Sequence, residues 1–522
     1  MRSNAIWNYR ERIFLLIAIS TVTRLIIASC SELSNAEVYY WTYSRWLQLN
    51  YYDHPPVVAW LIRLTTANHL FYQEVFVRLG AIIASATCTW LIFKIGTIIN
   101  NQQTGWLAAL LYTSSIYGSL IAGTYILPDS PQMVFWLYSI LLLIKISHTT
   151  SYDQKADLQW CLFGIISGLC IMSKVHGLFL WLGVALYALM INRAWLQYRG
   201  IYLSALITLV IISPIIIWNI QNNFISYKAY SGRVSLTGAR LHAVAFSKSL
   251  LQVMVITNPV NFFLICSSLL RAFKGKIPTL KKDIQLILFC SLPLIIVLLI
   301  ISLFRDTLAH WPGPAYSCLL ILPAIKLALD SKPKRRTVPT GIKLGLVFII
   351  ITALSGVFIT NYYPGTLSAQ KEGLDMGTGD PTLDDYGWEE AGKKFDSLYK
   401  NDVGNKMMPP GAPIVVDKWF PAAHIDFYIA TKTKQQTIGI GNVADLGHYY
   451  WMNNHKKPLK NGDSAYFIVP SNLFTYKSFD KMIFSFDHYE MPLSISQFRS
   501  GVLCKQYYIF RLKGYKSQTP NN

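Results

Sequence analysis

The recurrence of long apolar runs constrains this chain more than any other feature. A helix needs about 17 to 25 apolar residues to cross bilayer hydrocarbon. Runs near or at that length recur at residues 12–29, 75–98, 105–125, 131–147, 159–172, 177–191, 200–218, 250–270, 284–304, 315–329 and 343–360. Lipid offers no water to backbone polar groups, so each run must close its hydrogen bonds as a helix. The expected fold is a polytopic α-helical membrane protein with about eleven transmembrane helices. The first run follows basic residues in MRSNAIWNYRERIFLLIAIS with no small-residue cleavage site after it, and reads as an uncleaved helix.

From about residue 361 the apolar runs shorten to strand length, and Asp, Gly, Pro and Lys become frequent. APIVVD (412–417), QTIGIG (436–441), SAYFIVP (464–470) and KQYYIFRLKG (505–514) read as strands, and GWEEAGKKFDSLYK (387–400) as a helix. The chain therefore divides into a membrane domain, 1–360, and a soluble α/β domain, 361–522.

The net charge of +20 is carried by Lys and Arg gathered in short loops, while 52% of the chain is hydrophobic. That distribution fits topology signals and anionic lipid contact. It excludes nucleic acid as a partner, since no zinc knuckle, RNA-binding signature or base-reading basic helix accompanies it. With eleven spans, Arg2, Arg10, Arg12 and the basic loops 271–282 and 331–343 share one side, the cytoplasm. The opposite, external face then holds the stretch 35–62, the Pro128-Asp129 loop, the 219–249 connection, the 305–314 loop and the soluble domain. The eight cysteines show no C-x-x-C spacing, and most lie in apolar runs, where packing is the expected role.

Chemistry-bearing residues collect on the external segments. NAEVYYWTYSRWLQLNYYDHPPVVAWLI (35–62) places Glu37 before Tyr39, Tyr40 and Trp41, and sets Asp53 and His54 against Pro55 and Pro56. A carboxylate there can serve as a general base on an acceptor hydroxyl or amine, with the prolines fixing the backbone that aims it. An interfacial aromatic belt explains the Tyr and Trp residues equally well. Asp129, in TYILPDSPQ, either positions a divalent cation, together with Glu37, or pairs with a base. SKVHG (173–177) sets Lys174 and His176 between two spans, where a charge is costly and tends to be functional. Trp218, Asn219 and Arg233 in SPIIIWNIQNNFISYKAYSGR (213–233), with Arg305 and His310 further on, suit a sugar phosphate: rings stack on sugars and Arg forks onto phosphate. An amphipathic interfacial helix over the same segment is the alternative. No Walker loop, Ser-His-Asp set or dinucleotide fingerprint is present.

Five motifs in order, AEVYYWTYSRWLQLNYYDHPPVVAWLIRL, LPDSPQMVFW, GLCIMSKVHGLFLWLG, SPIIIWNIQNNFISY and HWPGPAYSCLLIL, resemble bacterial GT-C glycosyltransferases of the protein O-mannosyltransferase and lipid A aminoarabinose transferase superfamily. The resemblance covers roughly residues 10 to 330. It implies an integral inner-membrane enzyme, working on the periplasmic face, that moves a sugar from a polyprenyl phosphate carrier to a cell-envelope acceptor (lipid, glycan or protein) with inversion. The family's first loop usually carries Asp-Glu before Ala-Tyr-Tyr-Trp; here Ala36 stands at the Asp position and Glu37 matches the Glu. Glu37 or Asp53 would then take the base's role, and Asp129 matches the acid of the second external loop. Lys174, Arg233 or Arg305 would neutralise the leaving phosphate, with or without a divalent cation. Tyr39, Tyr40, His54, His176, Trp218, Asn219 and His310 are expected around the substrates. Two other readings remain open: a lipid-linked sugar transporter or flippase, and a non-catalytic membrane scaffold.

Overall fold

The computed structural model describes residues 8–149, 154–234, 241–275, 281–330 and 338–516. Of the basic loops at 271–282 and 331–343, residues 276–280 and 331–337 fall outside these residues, as does Arg2. The chain forms two compact units, one of residues 1–28 and 48–353, the other of residues 29–47 and 354–522.

The first unit is helical. Eight described helices are long and apolar enough to cross a membrane, nine if one bent pair counts as a single span. Asp129–Ser147 and Gly313–Asp330 are the most enclosed, each 72% buried, and the residues that open them, Asp129 and Gly313, are themselves buried. Three expected spans differ from straight helices. The run at 105–125 becomes Gln102–Ser114 followed by a π-helical turn at Tyr117–Ile121, and the run at 177–191 a helix of 13 residues, Leu178–Met190. The run at 250–270 is broken into Ala243–Thr257 and Pro259–Phe273, bent by 101°.

The break has a local cause. Pro259 lacks the N–H that would continue the helix, and Asn258 takes a left-handed φ of 78°. The groups freed by the bend are satisfied within the protein, as lipid requires. Asn258 Nδ2 donates to the carbonyls of Ser114 and Gly345, both at 2.9 Å, and its Oδ1 accepts from the Val260 N–H. Asn261 Nδ2 donates to the Leu111 carbonyl at 2.9 Å.

The second unit is built on a mixed sheet of six strands: β1 (Ile414–Val416), β2 (Thr437–Gly439), β3 (Ala465–Pro470), β4 (Phe486–Tyr489), β5 (Leu493–Arg499) and β6 (Val502–Tyr515). Its order is β2-β1-β3-β6-β4, with β5 also on β6. β1 runs parallel to β2 and β3, while β6 is antiparallel to β3, β4 and β5. β3 is buried on both faces, which is why it reads as a continuous apolar run. The outer edge of β2 is closed by a side chain: Asn453 accepts from the Gly439 N–H at 3.0 Å and donates to the Gly439 carbonyl at 2.8 Å, standing in for a further strand. In the core Asp402 accepts from Arg511 at 2.6 and 2.8 Å and from the Tyr466 hydroxyl at 2.9 Å.

The boundary at 360 omits one element of this unit. Helix Asn35–Arg45 buries Val38, Tyr39, Trp41 and Tyr43 within it. Trp41 meets Phe427 edge-on at 4.8 Å, and Arg45 pairs with the buried Asp426 at 2.8 Å. Just before the helix, Glu32 accepts from the N–H groups of Trp388 and Glu389 at 2.9 and 2.8 Å, placing a carboxylate on the positive end of helix Trp388–Gly404.

Candidate active site

The segment 35–62, read as one loop, is divided. Glu37, Tyr39 and Tyr40 belong to the second unit, and Asp53 and His54 to the first. The cause is the helix Asn35–Arg45, whose residues 37–44 are all buried and which packs with residues of the last third of the chain. In that unit Glu37 accepts from the Ser34 N–H at 2.9 Å and from the Ser34 hydroxyl at 3.0 Å, the reciprocal arrangement of a capping box. The Tyr39 hydroxyl accepts from the His448 N–H at 2.8 Å, and the Tyr40 ring lies edge-on to Tyr43.

In the first unit, Asp129 opens helix Asp129–Ser147 directly after Pro128, which presets the first turn. Lys174 stands in extended conformation where helix Gln154–Ser173 ends and before the turn Val175–Gly177. Its ammonium lies 3.0 and 2.8 Å from the two Asp129 carboxylate oxygens, and both side chains are 2% exposed. The carbonyl of Lys174 accepts from Gln132 Nε2 at 3.3 Å, so the helix carrying the acid also holds the backbone carrying the cation.

Two further groups face this pair. The Tyr117 hydroxyl donates to Asp129 Oδ1 at 3.1 Å, and His310 Nε2 lies 3.9 Å from Asp129 Oδ2. The Tyr117 ring rests on Gly313 of the HWPGP motif. A Cβ at Gly313 would fall 2.1 to 2.4 Å from the ring atoms, so only glycine fits there. His310 and His54 lie in loops. Burial, reinforced by the Lys174 ammonium, pushes His310 down to about 4 and His54 well below the usual histidine range. Both are therefore neutral near pH 7.

Beside the cluster is a cavity of about 360 Å³. Asp53, His54, His176, Asn219 and Trp311 line it, and Leu178, Phe179, Ile215, Val297, Leu298 and Ile301 make most of its wall apolar. His176 stacks obliquely on Trp311 at 5.5 Å, and Asn219 Nδ2 donates to the Ile215 carbonyl at 3.0 Å. Such a pocket suits an apolar chain with a polar head at one end.

The structure thus gathers Asp53, His54, Asp129, Lys174, His176, Asn219 and His310 around one cluster and its cavity. Trp218 is buried in helix Arg199–Gln221, and Arg305 is half-buried in the loop after helix Lys281–Ser302. Arg233 falls in helix Ile225–Val234, but its side chain lies outside the described residues. The two acids expected to share a cation belong to different units: the Lys174 ammonium spans both Asp129 oxygens in one, and the Glu37 carboxylate caps its own helix in the other. Sequence reasoning passed over Tyr117, Gln132 and Gly313. The available signal was SSIYGSLIAG (114–123), where Ser, Gly and Ala interrupt an apolar run twelve residues before Asp129.

Comparisons with known proteins agree with this architecture. Residues 53–218 match the family model described as dolichyl-phosphate-mannose-protein mannosyltransferase. The lipid A galacturonosyltransferase RgtD of Rhizobium johnstonii is 23% identical over 330 residues, which are 61% of this chain. The match spans 64% of the length of that relative. Among solved structures, ArnT from Cupriavidus metallidurans bound to undecaprenyl phosphate superposes with a TM-score of 0.62 at 13% identity, covering 95% of this chain and 97% of ArnT. The Archaeoglobus fulgidus oligosaccharyltransferase tethered to an acceptor peptide gives 0.51 at 11% identity, over 98% of this chain and 75% of that one. The fold is that of ArnT, and residues 53–218 match the model of the dolichyl-phosphate-mannose-protein mannosyltransferase family.

Proposed function

We propose that the protein is an integral membrane glycosyltransferase that moves a sugar from a polyprenyl phosphate carrier to a cell-envelope acceptor on the external, periplasmic face of a bacterial inner membrane. One observation carries this reading: a buried, compensated carboxylate, Asp129, is paired with Lys174, and the residues that directly follow Lys174, Val175 and His176, line a largely apolar cavity. RgtD, named for transfer to lipid A, and ArnT, solved with undecaprenyl phosphate, support the two substrate classes.

In this reading the carrier's chain enters the cavity between Phe179, Ile215 and Leu298. The acceptor hydroxyl or amine attacks the sugar's anomeric carbon as the bond to the carrier phosphate breaks on the opposite face, which inverts that centre. The acceptor's proton passes to a carboxylate, with Asp129 the first choice and Asp53 and Glu37 the others. Lys174 exchanges part of its contact with Asp129 for the phosphate oxygens as charge develops there, a preorganised stabilisation in a site with little water. Neutral His54 and His310 offer hydrogen bonds without adding charge. The unit of residues 1–28 and 48–353 supplies this chemistry.

The test is release of labelled sugar from a polyprenyl phosphate sugar by purified protein in lipid. Asp129→Asn and Lys174→Met should each lower turnover by about 10²-fold or more, the range for a lost general base or electrostatic partner. Asp53→Asn and Glu37→Gln rank the remaining acids. Wild-type turnover undiminished in Asp129→Asn would remove the assignment of that site.

A further inference from the structure

Arg24 lies about three-quarters of the way along the first membrane helix, Tyr9–Ser29, within its apolar stretch, and is 2% exposed. Among the described residues no carboxylate pairs with it. A charged side chain at that depth is costly and persists where something depends on it. Its partner here is a piece of backbone: Nε donates to the Ser119 carbonyl at 3.2 Å and Nη2 to the Ser119 hydroxyl at 3.2 Å. Nη1 has no partner.

Ser119 is the centre of the π-helical turn Tyr117–Ile121. The turn closes through the Ala122 N–H on the Tyr117 carbonyl at 2.8 Å, one residue wider than an α-helical bond. Side chains serve the carbonyls displaced by this widening. Ser85 donates to the Gly118 carbonyl at 3.0 Å, and Arg24 and Thr124 both donate to that of Ser119, the latter at 2.8 Å. The Ser119 hydroxyl in turn donates to the Thr113 carbonyl. Backbone and hydroxyls crowd the exit of the turn: a Cβ at Gly123 would lie 2.3 Å from the Gly118 carbonyl oxygen and 2.7 Å from the Ser85 hydroxyl. At the entry of the turn stands Tyr117, whose hydroxyl reaches Asp129.

We infer that Arg24 is a positioning residue: its fork on Ser119 holds the π turn in the one register that aims the Tyr117 hydroxyl at Asp129. An apolar residue at position 24 would fill the same space but would remove both Arg24 donors from Ser119, with Thr124 left to hold the carbonyl against relaxation toward α-helical pairing. Adding or removing one residue of helical offset rotates a side chain by about 100°, which carries Tyr117 away from the carboxylate. The inference rests on the glycosyl-transfer reading of Asp129 only where turnover is the readout.

The experiment has two readouts on the full-length protein in lipid nanodiscs. The first is the ¹⁹F resonance of 3-fluorotyrosine placed at position 117, compared in the wild type, Asp129→Asn, Arg24→Met, Arg24→Gln and Arg24→Lys. Arg24→Met should move the resonance as Asp129→Asn does, and Arg24→Lys, which keeps a donor for the carbonyl, should return it part of the way. The second is a double-mutant cycle on labelled-sugar release. Tyr117→Phe and Arg24→Met should each lower kcat by about tenfold with KM within about twofold, and Arg24→Met should lower it by less than about twofold further in the Tyr117→Phe background. Should Arg24→Met not fold, Arg24→Gln carries both readouts. An unmoved resonance in the Arg24 variants, or effects that multiply in the double mutant, would overturn the inference. If the wild type releases no sugar yet the resonance moves, the positioning role stands and the transfer reading falls.

Discussion

Removal of Lys174 tests the site's electrostatics without assuming a substrate. The ammonium sits 2.8 and 3.0 Å from the Asp129 oxygens, with both side chains 2% exposed. At about 3 Å and an effective dielectric near 20, the attraction is roughly 5 kcal/mol before desolvation is counted. Lys174→Met would leave Asp129 buried with the Tyr117 hydroxyl at 3.1 Å as its remaining close donor. Breaking a buried pair in this way costs about 3 to 5 kcal/mol. Asp129→Asn on the same background removes the stranded charge while keeping an oxygen for Tyr117, so the double variant should lie within about 1 to 2 kcal/mol of wild type. Unfolding by SDS titration in mixed micelles would read both values. A loss below about 1 kcal/mol for Lys174→Met, or a double variant whose loss equals the sum of the singles, would show that the pair is not the compensated buried charge described above.

Other positions give sharper local tests. Gly313→Ala drives a methyl into the Tyr117 ring and should cost about 1 to 3 kcal/mol by the same titration, with turnover lost together with the Tyr117 contact. In the second unit, Asp402→Asn removes the charge that Arg511 and the Tyr466 hydroxyl share and should destabilise that unit by about 2 kcal/mol or more, read as a lower melting temperature. Burial holds His424 and His448 down at about 3, so the unfolded chain binds their protons first as pH falls below about 6.5. Stability of that unit should therefore drop between pH 7 and 5.5, by roughly 1 kcal/mol per histidine, and continue to fall toward pH 3. His424→Gln should flatten that slope, and a slope unchanged by the substitution would refute the assignment.

The membrane helices and four of the six strands were legible in the sequence because their apolar patterns are long or continuous. β4 and β5 were not: their burial is irregular and their partner is the far edge of β6, a pairing no local window contains. The bend at Asn258 was hidden because Pro259 lies inside an otherwise unbroken apolar run, and only the partners at Ser114 and Gly345 make a break affordable there. Asp129, Lys174 and His310 stood out as polar residues at the ends of apolar runs. Tyr117 did not, since a tyrosine within a span is ordinary packing until a π turn aims it. Glu37 stood out for its motif and its acidity, while its capping role depended on Ser34 three residues earlier, a pattern legible in SNAE but outweighed by the aromatic residues that follow.

The helix Asn35–Arg45 imposes an order on biosynthesis. It leaves the ribosome long before the surfaces it packs on, around Asp426, Phe427 and His448. At translation rates of about 5 to 20 residues per second, tens of seconds separate the two. During that interval Val38, Tyr39, Trp41 and Tyr43 have no partner from their own unit, so the nascent segment must shelter at the lipid headgroups or on a chaperone. A fragment beginning at residue 354 would be missing a core helix and the Glu32 carboxylate that caps Trp388–Gly404, and so would be a poor stand-in for the soluble unit.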